Sequence, residues 1–569
     1  MAQPESLQNP SSSASSLRKR AGMAAVAGIA LAASFQPFNW SGLAWIAPGI
    51  WLLCGMGQTG RERFLIGFAG GMGFYIPAVH WLRFIPYPVT PYVGWAALAS
   101  YLALYPAIWL WLCWRIFPGG MKNVDDSPSG PGLKTQVARV FATPWSTRAR
   151  WLLTCAIAWI ALEMVMARAL TGFPFLLLGV SQQQLTPVIQ IASITGVYGV
   201  SFLVVWFACG IAASVLLLVH RPAKHWVWAA ELGAPALLVT AAVLFGVSRA
   251  NVSRTASPDE RRDALRLALI QPSIPQTVKW DEEENQEAFK TILDLTERAM
   301  AEKPDIVVWP EAALPKLLRY DEETYARVTK LAARHQVWLL IGAEDAEPGK
   351  GPEGESDPLF HNSAFAVSPE GKLTAKYDKR RLVMFGEYVP LSRWLPFLKM
   401  FSPVGNGFTP GTEPVWLELR RPRKLRIGPL ICFEDIFPDL AREHVDEHTD
   451  FLLNVTNDGW FGASSQQWQH AANAAFRAVE NGVPIIRCAN NGISCWVDEF
   501  GILRGTRYTD ERSEYAAGYK LVKMPLQRPA SWPSRTFYNR HGDWFGWGCV
   551  LVSLSLTGQA LLRRRSFAI

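Results

Sequence analysis

Charge is what this chain has least of. Only 18% of its 569 residues are charged and half are hydrophobic, whereas an ordinary soluble domain carries about 25% charge. That composition and length exclude one soluble globular domain. Cysteine is scarce as well: eight in so long a chain do not make a disulfide scaffold. No spacing of His, Cys and Asp fits a metal site, and His470 stands alone on its helical stretch, so neither metal nor other cofactor is expected. The net charge of +8 gathers into no single patch, which argues against a nucleic-acid partner.

What is present divides unevenly. Long apolar runs dominate residues 21–248, while residues 251–542 mix acidic and basic side chains throughout. A membrane span needs about 20 apolar residues, and candidates fall near 21–37, 41–58, 64–82, 92–114, 150–167, 187–218, 226–247 and 544–562. The sixth is long enough to tilt or to hold an interfacial turn. With the N-terminus inside, Arg18, Arg20, Arg61, Arg63, Arg115, Arg148 and Arg563 fall on the inner side, along with Pro118 to Ser146 as a Gly- and Pro-rich loop. The short outer loops then hold little beyond Arg83 and Arg168. The expected organisation is a disordered cytoplasmic tail (1–20), a polytopic α-helical membrane domain of about eight spans (21–250, with the eighth in 543–569 before a basic tail), and an outer domain at 251–542. The apolar run after Arg18-Lys19-Arg20 lacks a cleavage site leading into a soluble region, so it reads as a first span rather than a signal peptide.

Two features within this frame leave alternatives open. Glu163 lies inside a span, where a carboxylate is costly and often functional, or else pairs with Arg168. Cys488 and Cys495 flank Asn491-Gly492, a dipeptide of tight hairpins. Counting outward makes them a hydrogen-bonded cross-strand pair, where side chains lie farther apart, so two buried thiols are expected over a bridge. Cys54, Cys113, Cys155, Cys209 and Cys549 fall in apolar runs as small hydrophobes.

The outer region alternates strand and helix signals. Strand patterns cover 265–269, 306–309, 337–341, 363–367, 425–432, 451–455, 485–487 and 494–497, and helical patterns 284–302, 321–334, 437–443 and 466–480. That alternation argues for an α/β layered domain. Three of its stretches end abruptly at polar residues. Pro429 to Asp435, reading PLICFED, is an apolar strand stopping at Cys432 with Glu434 behind it. Ile306 to Pro310 stops at Glu311, and Tyr377-Asp378-Lys379 is followed by Phe385-Gly386-Glu387. Glutamate, lysine and cysteine are the parts of a nucleophilic site: the thiolate attacks, the carboxylate moves the proton and the ammonium steadies the oxyanion. The Lys379 charge is also expected to depress the thiol pKa.

WPE at Trp309 to Glu311, YDK at Tyr377 to Lys379, FGE at Phe385 to Glu387 and CFE at Cys432 to Glu434 resemble the signature of the nitrilase, or carbon–nitrogen hydrolase, superfamily. With its apolar flanks the chain resembles the membrane-embedded apolipoprotein N-acyltransferase family over nearly its whole length. It departs from the family at Met384, where proline is frequent, and at Phe433, where tyrosine is common. The resemblance implies a periplasmic four-layer α/β sandwich on an inner-membrane domain. It implies Glu311 as base, Lys379 as oxyanion partner and Cys432 as nucleophile, with Glu387 and Glu434 sensitive positions that otherwise hold Lys379 and the loop after the cysteine. Residues Thr456 to Gly462, containing Asn457 and Trp460, resemble a flexible active-site loop with Trp460 as an acyl-chain lid. Trp280 either lines the mouth, as the resemblance implies, or staples the helix that Asp281 caps. The implied reaction moves an acyl chain from a phospholipid, phosphatidylethanolamine first, through a Cys432 thioester to the α-amine of a diacylglyceryl-cysteine apolipoprotein. A membrane-tethered amidase or nitrilase, and a non-catalytic lipid-binding scaffold, are the alternatives. The apolar, Pro-interrupted stretch Tyr388 to Phe408 reads as one wall of a lipid entrance in the outer leaflet, or as a loop packed on its own domain.

Overall fold

The computed structural model describes residues 10–118, 132–220, 227–254, 264–276, 282–349, 358–392, 394–401, 407–420, 424–505, 515–525 and 535–565. Helices come first: α1 (Pro10–Ala32), α2 (Ala47–Cys54), α3 (Gly60–Ala78), α4 (Thr90–Arg115), α5 (Leu133–Ala142), α6 (Trp145–Met166), α7 (Thr186–Ile189), α8 (Ala192–Thr195), α9 (Val197–His220) and α10 (Val227–Arg254). Among the described residues, α4, α6, α9 and the 229–249 part of α10 are long and apolar enough to cross a membrane. Tryptophan explains much of how this bundle holds together. Each buried indole N–H needs an acceptor where water is absent, and neighbouring helices supply it: Trp51 donates to Ala24 O (2.9 Å), Trp109 to Cys155 O (2.8 Å) and Trp151 to Cys113 O (2.8 Å).

Two expectations are corrected here. Helix α1 starts at Pro10, so residues 10–20 of the expected disordered tail are helical; proline suits a first helical position because its missing N–H would be unpaired there anyway. Residues 1–9 lie outside the described residues. The sixth apolar run does hold a turn, as allowed for it: it divides into α7, α8 and α9, with Gly196 at a φ of +69° between α8 and α9, and a Cβ there would stand 2.6 Å from the Tyr538 ring. Glu163 does not pair with Arg168. It accepts from Trp159 Nε1 (3.0 Å) and Leu178 N (2.8 Å), while Arg168 pairs with Asp543. Within the expected inner loop, α5 is helical, and residues 119–131 lie outside the described residues.

The second half builds two six-stranded sheets. In chain order come β1 (Ala264–Gln271), α11 (Glu282–Ala299), β2 (Ile306–Trp309), α12 (Glu322–His335), β3 (Trp338–Glu347), β4 (Leu359–Val367), β5 (Leu373–Asp378), β6 (Leu417–Leu419), β7 (Leu425–Ile431), α13 (Pro438–Glu443), β8 (Phe451–Thr456), α14 (Gln466–Asn481), β9 (Ile485–Ala489), β10 (Cys495–Val497), β11 (Leu503–Arg504) and β12 (Gly518–Pro525). Then α15 (Phe537–His541) and α16 (Trp544–Arg565) follow. The sheet orders are β12-β1-β2-β3-β4-β5 and β11-β10-β9-β8-β7-β6. Each has a parallel core, β1-β2-β3 and β7-β8-β9. Alternation along the strands decides the layering. Leu267, Val308 and Leu340 face Ile427, Leu453 and Ile486 between the sheets. Ala268, Val307 and Leu339 face α11 and α12 on the outside. The outer face of the second sheet meets α13 and α14 in a cluster continuous with the N-terminal helices. The result is an α-β-β-α stack. Strand β12, not anticipated from the sequence, pairs antiparallel with β1 from Ala264↔Pro525 to Gln271↔Gly518 and puts Val522 and Met524 between the sheets.

Helix α14 is the joint between sheet and bundle. All of its residues but Trp468 are buried, polar ones included. Those polar groups are matched by the bundle: Trp81 Nε1 donates to Gln469 (3.0 Å), Gln469 donates to Ala78 O (3.2 Å), Asn473 to Phe175 O (3.0 Å), and Val197 N to Glu480 (2.8 Å). The Asn491-Gly492 turn departs from expectation. Arg487, not Cys488, stands opposite Cys495. The connection is not a two-residue turn because Asn490 and Ser494 are drawn into bonds elsewhere: Asn490 N to Thr456 O (2.9 Å) and Ser494 Oγ to Gln271 (2.7 Å). Cys488 and Cys495 are free buried thiols.

Candidate active site

Parallel strands release their chain at one end, and the sequence-expected groups collect there. Glu311 follows β2, Lys379 follows β5, Cys432 follows β7 and Asn457 follows β8. The turn after β2 fits because Gly342 of β3 lies beneath it; a Cβ there would stand 2.5 Å from Pro310 O. Cys432 has a φ of +56°, rare for a non-glycine residue and a mark of functional strain. It opens a short 3₁₀ turn, Cys432–Ile436, and Asn454 Nδ2 holds its carbonyl at 2.9 Å.

Lys379 is 1% exposed in its side chain, and its ammonium lies 3.3 Å from Glu311 Oε1 and 2.8 Å from Glu387 Oε1. Burial alone would lower its pKa, but the Glu387 and Glu311 carboxylates outweigh that and hold it above the usual lysine range. Glu311 is held at both oxygens: Asn362 Nδ2 donates to Oε1 (2.7 Å) and Asn457 N to Oε2 (2.9 Å). Asn362 also donates to Glu387 (2.9 Å), and Val383 N donates to the other Glu387 oxygen (2.8 Å). Asn457 Nδ2 in turn donates to Gln276 (2.7 Å). Asn362 and Gln276 are additions the sequence reading missed; the first stands on β4 beside the Lys379 turn, with no motif to signal it.

Burial, then Glu311, push the Cys432 thiol well above the ordinary value, and Lys379 only partly offsets them. The sulfur is thus held toward its thiol form, although Lys379 itself pulls the other way as expected. Glu434 lies behind it and touches no open space. It accepts from Arg380 N (2.7 Å), Arg381 N (3.0 Å), Ile431 N (2.8 Å) and Tyr377 Oη (3.0 Å), so it ties the Lys379 turn to the Cys432 turn. Phe433 lies under the Lys379 ammonium at 5.5 Å from its ring centre and edge-on to Phe437. Phe385 has φ +62° and donates its N–H to Tyr388 O (2.8 Å), which shapes the Glu387 turn. Trp460 lies half-buried in the 3₁₀ turn Asp458–Phe461. Trp280 and Asp281 lie outside the described residues.

The carbon–nitrogen hydrolase profile matches residues 266–516, and the profile of the apolipoprotein N-acyltransferase N-terminal domain matches residues 27–210. An apolipoprotein N-acyltransferase of Geobacter metallireducens is 35% identical over 561 residues, 95% of this chain and 95% of that protein. The chain belongs to the apolipoprotein N-acyltransferase family. Members from Brucella melitensis (33% identical, covering 74% of this chain and 76% of the relative) and Rhodopseudomonas palustris (30%, 85% and 86%) are similar over most of their length too. Both profiles stop short of β12, α15 and α16; the similarity to the Geobacter family member covers 95% of the chain.

Beneath the cysteine turn lies a second set of buried charges. His470 on α14 contacts Asp435 (Nε2, 2.7 Å) and Asp458 (Nδ1, 2.8 Å), and Arg487 on β9 pairs with both aspartates. Asp435 belongs to the Cys432 turn and Asp458 to the Asn457 loop, so the cluster fixes one relative to the other. Burial would lower the His470 pKa, but Asp435, against Arg487 and with Asp458, raises it to about 9 from 6.5. A raised folded-state pKa stabilises fully below about pH 6.5 and the contribution is lost as pH rises through about 9. The chain in detergent is therefore expected to lose about 3 kcal/mol of unfolding free energy across that window. In His470→Gln the slope should flatten; a slope unchanged by the substitution would remove His470 from the stabilising charges.

Proposed function

We propose that this chain transfers an acyl chain from a phospholipid, phosphatidylethanolamine first, to the α-amine of the diacylglyceryl cysteine at the N-terminus of an apolipoprotein. The observation that carries the reading is α14: it seats the sheet that bears Cys432 directly on the apolar helices, so a nucleophilic site stands where lipid esters are. Residues 21–250 and 543–569 form the membrane domain of about eight spans, between a cytoplasmic tail and a basic end, and residues 251–542 the catalytic domain. The scarcity of basic residues at the end that meets the sheets supports a periplasmic catalytic domain on an inner-membrane protein.

The chemistry runs in two steps. As the Cys432 sulfur attacks the ester carbonyl, Glu311 takes the thiol proton, which suits a sulfur held toward its thiol form. The carbonyl oxygen gains charge beside the Lys379 ammonium, a fixed donor in a dry site. The C–O bond to glycerol breaks, the proton passes from Glu311 to that oxygen, and lysophospholipid leaves a thioester on Cys432. The acceptor amine then attacks the thioester, gives its proton to Glu311, and the C–S bond breaks to return the thiol. Glu387 and Asn362 keep Lys379 and Glu311 in register, and Glu434 positions the turn that carries the sulfur. The loop with Trp460 closes over the acyl chain and excludes water from the thioester.

Formation of N-acylated lipopeptide from phospholipid and a diacylglyceryl lipopeptide tests the roles. Cys432→Ala should form none, whereas Cys488→Ala and Cys495→Ala should stay near wild type. Glu311→Gln and Lys379→Ala should each fall by about 10²-fold or more; rates near wild type would take that residue out of the mechanism. For topology, a cysteine at Ser513 should react with an impermeant thiol reagent in spheroplasts and one at Ser129 should not; the reverse pattern would invert the orientation.

Exposure supports a lipid entrance in this stretch. Trp394 is 82% and Phe397 56% exposed, with Leu391 and Met400 beside them in and before the 3₁₀ turn Pro396–Phe401. So much open apolar surface close after the Lys379 turn favours a wall dipped in the outer leaflet over a loop packed on its own domain. Each such side chain gains about 25 cal/mol per Å² on entering lipid. Trp394→Asp with Phe397→Asp should slow acyl transfer from bilayer phospholipid and spare acylation of Cys432 by a short-chain, water-soluble thioester. Equal loss on both donors would make the loop a support of the fold.

A further inference from the structure

Two arginines stand at the end of the helical bundle that meets the sheets, and they differ in one respect. Arg168 is neutralised by Asp543 and covered by the Trp547 ring at 5.2 Å. Arg83, in the 3₁₀ turn His80–Phe84 just past α3, has no carboxylate within ion-pair distance among the described residues. It is nonetheless held in place. Its Nε donates to His80 O (3.2 Å), and its guanidinium lies over the Trp95 ring at 5.0 Å and the Phe84 ring at 5.9 Å. Trp95 is itself anchored, its indole N–H donating to Ile76 O at 2.9 Å. The side chain is half-exposed. Its two terminal nitrogens make no hydrogen bond to the described residues, so they leave a planar two-pronged donor, the geometry that suits a phosphate.

The turn that carries Arg83 is seated on the loop of the candidate active site. Trp81 meets Phe461 edge-on at 4.7 Å, and a Cβ built on Gly462 would lie 3.5 Å from Phe84 Cβ. Gly462 is five residues from Asn457, whose N–H is 2.9 Å from Glu311. Five Cα steps span at most about 19 Å. A glycerophospholipid places its phosphate one glycerol away from the ester carbonyls, and Arg83 is a cation set against the same loop whose other end meets Glu311.

We propose that Arg83 binds the headgroup phosphate of the lipid acyl donor and orients its ester for attack. This rests on the reading of the chain as a phospholipid-using acyltransferase. The role is one of substrate positioning: Arg83 recognises the phosphate that all glycerophospholipids share, and leaves the rest of the headgroup to other contacts.

Binding of lipids that cannot transfer an acyl group separates the inference from that reading. The full chain in neutral detergent is titrated with dialkyl-ether phosphatidylethanolamine and with the matching dialkylglycerol, which has no phosphate, and the bound lipid is counted by native mass spectrometry. Wild type should hold one ether phospholipid per chain about tenfold or more tighter than the dialkylglycerol. Arg83→Gln should lose that preference with dialkylglycerol affinity unchanged, and Arg83→Lys should restore part of it. The inference is overturned if Arg83→Gln keeps the preference, if it weakens both lipids equally, or if it removes several loosely held lipids and leaves the tight one. Should Arg83-dependent binding appear while ester-linked phosphatidylethanolamine leaves no acyl group on Cys432, the inference stands and the acyltransfer reading falls.

Discussion

A lysine ammonium sealed from water has to be matched by charge, and that requirement shapes the centre of this protein. Lys379 sits between Glu311 and Glu387 with almost no exposure. Breaking a buried ion pair by removing one partner costs about 3–5 kcal/mol, so the three turns that deliver these groups cannot drift apart independently. Asn362 spans the two carboxylates and removes the remaining slack. Burial, then Glu311, with smaller pushes from Asp458 and Glu387, hold the Cys432 thiol up. On the proposed mechanism such a site couples attack by Cys432 to proton transfer onto Glu311, and calls on Glu311 again when the acceptor amine attacks.

The second constraint is the seat of the sheets on the bundle. Buried polar groups must be paired, and α14 meets this by bonding outward to carbonyls of α3 and the turns near Phe175 while its other face covers the sheet. His470 and Arg487 extend that seat inward to Asp435 and Asp458, one turn from the cysteine and one residue from Asn457. The apolar helices and the sheet that bears Cys432 therefore share one continuous core. The Arg83 turn lies at the margin of the same seat, against the loop from Asn457 to Gly462.

How far the sequence reached follows from the kind of signal each part carries. Short apolar runs, alternating at 265–269, made most strands legible, and runs that stop at Glu311 and Cys432 marked the candidate site, because an apolar run ending abruptly at a polar residue suits a strand end. Lys379 and Glu387 were legible through the same strand-end logic and the family resemblance. What escaped was pairing at a distance. Asn362 and Gln276 look like ordinary polar residues until the fold brings them beside Glu311 and Asn457. His470 seemed isolated because its partners are 35 and 12 residues away in the chain. Strand β12 has no register until β1 offers it an edge. The Asn491-Gly492 dipeptide misled, since local turn chemistry gave way to bonds from Asn490 and Ser494 into the site. Lys379 does pull the thiol down as expected, but burial, Glu311, Asp458 and Glu387 together push it up, and those opposing groups meet only in the fold.

The central claim is that Cys432 carries the acyl group between donor and acceptor. It is tested most directly by mixing the purified chain with phosphatidylethanolamine alone, digesting, and weighing the peptide that contains Cys432, then adding a diacylglyceryl lipopeptide and weighing again. The account predicts one acyl mass on Cys432, lost on addition of the amine and recovered as an amide on the lipopeptide N-terminus. An unmodified Cys432 peptide alongside normal product formation, or an acyl mass released to water and never found on the lipopeptide, would contradict it.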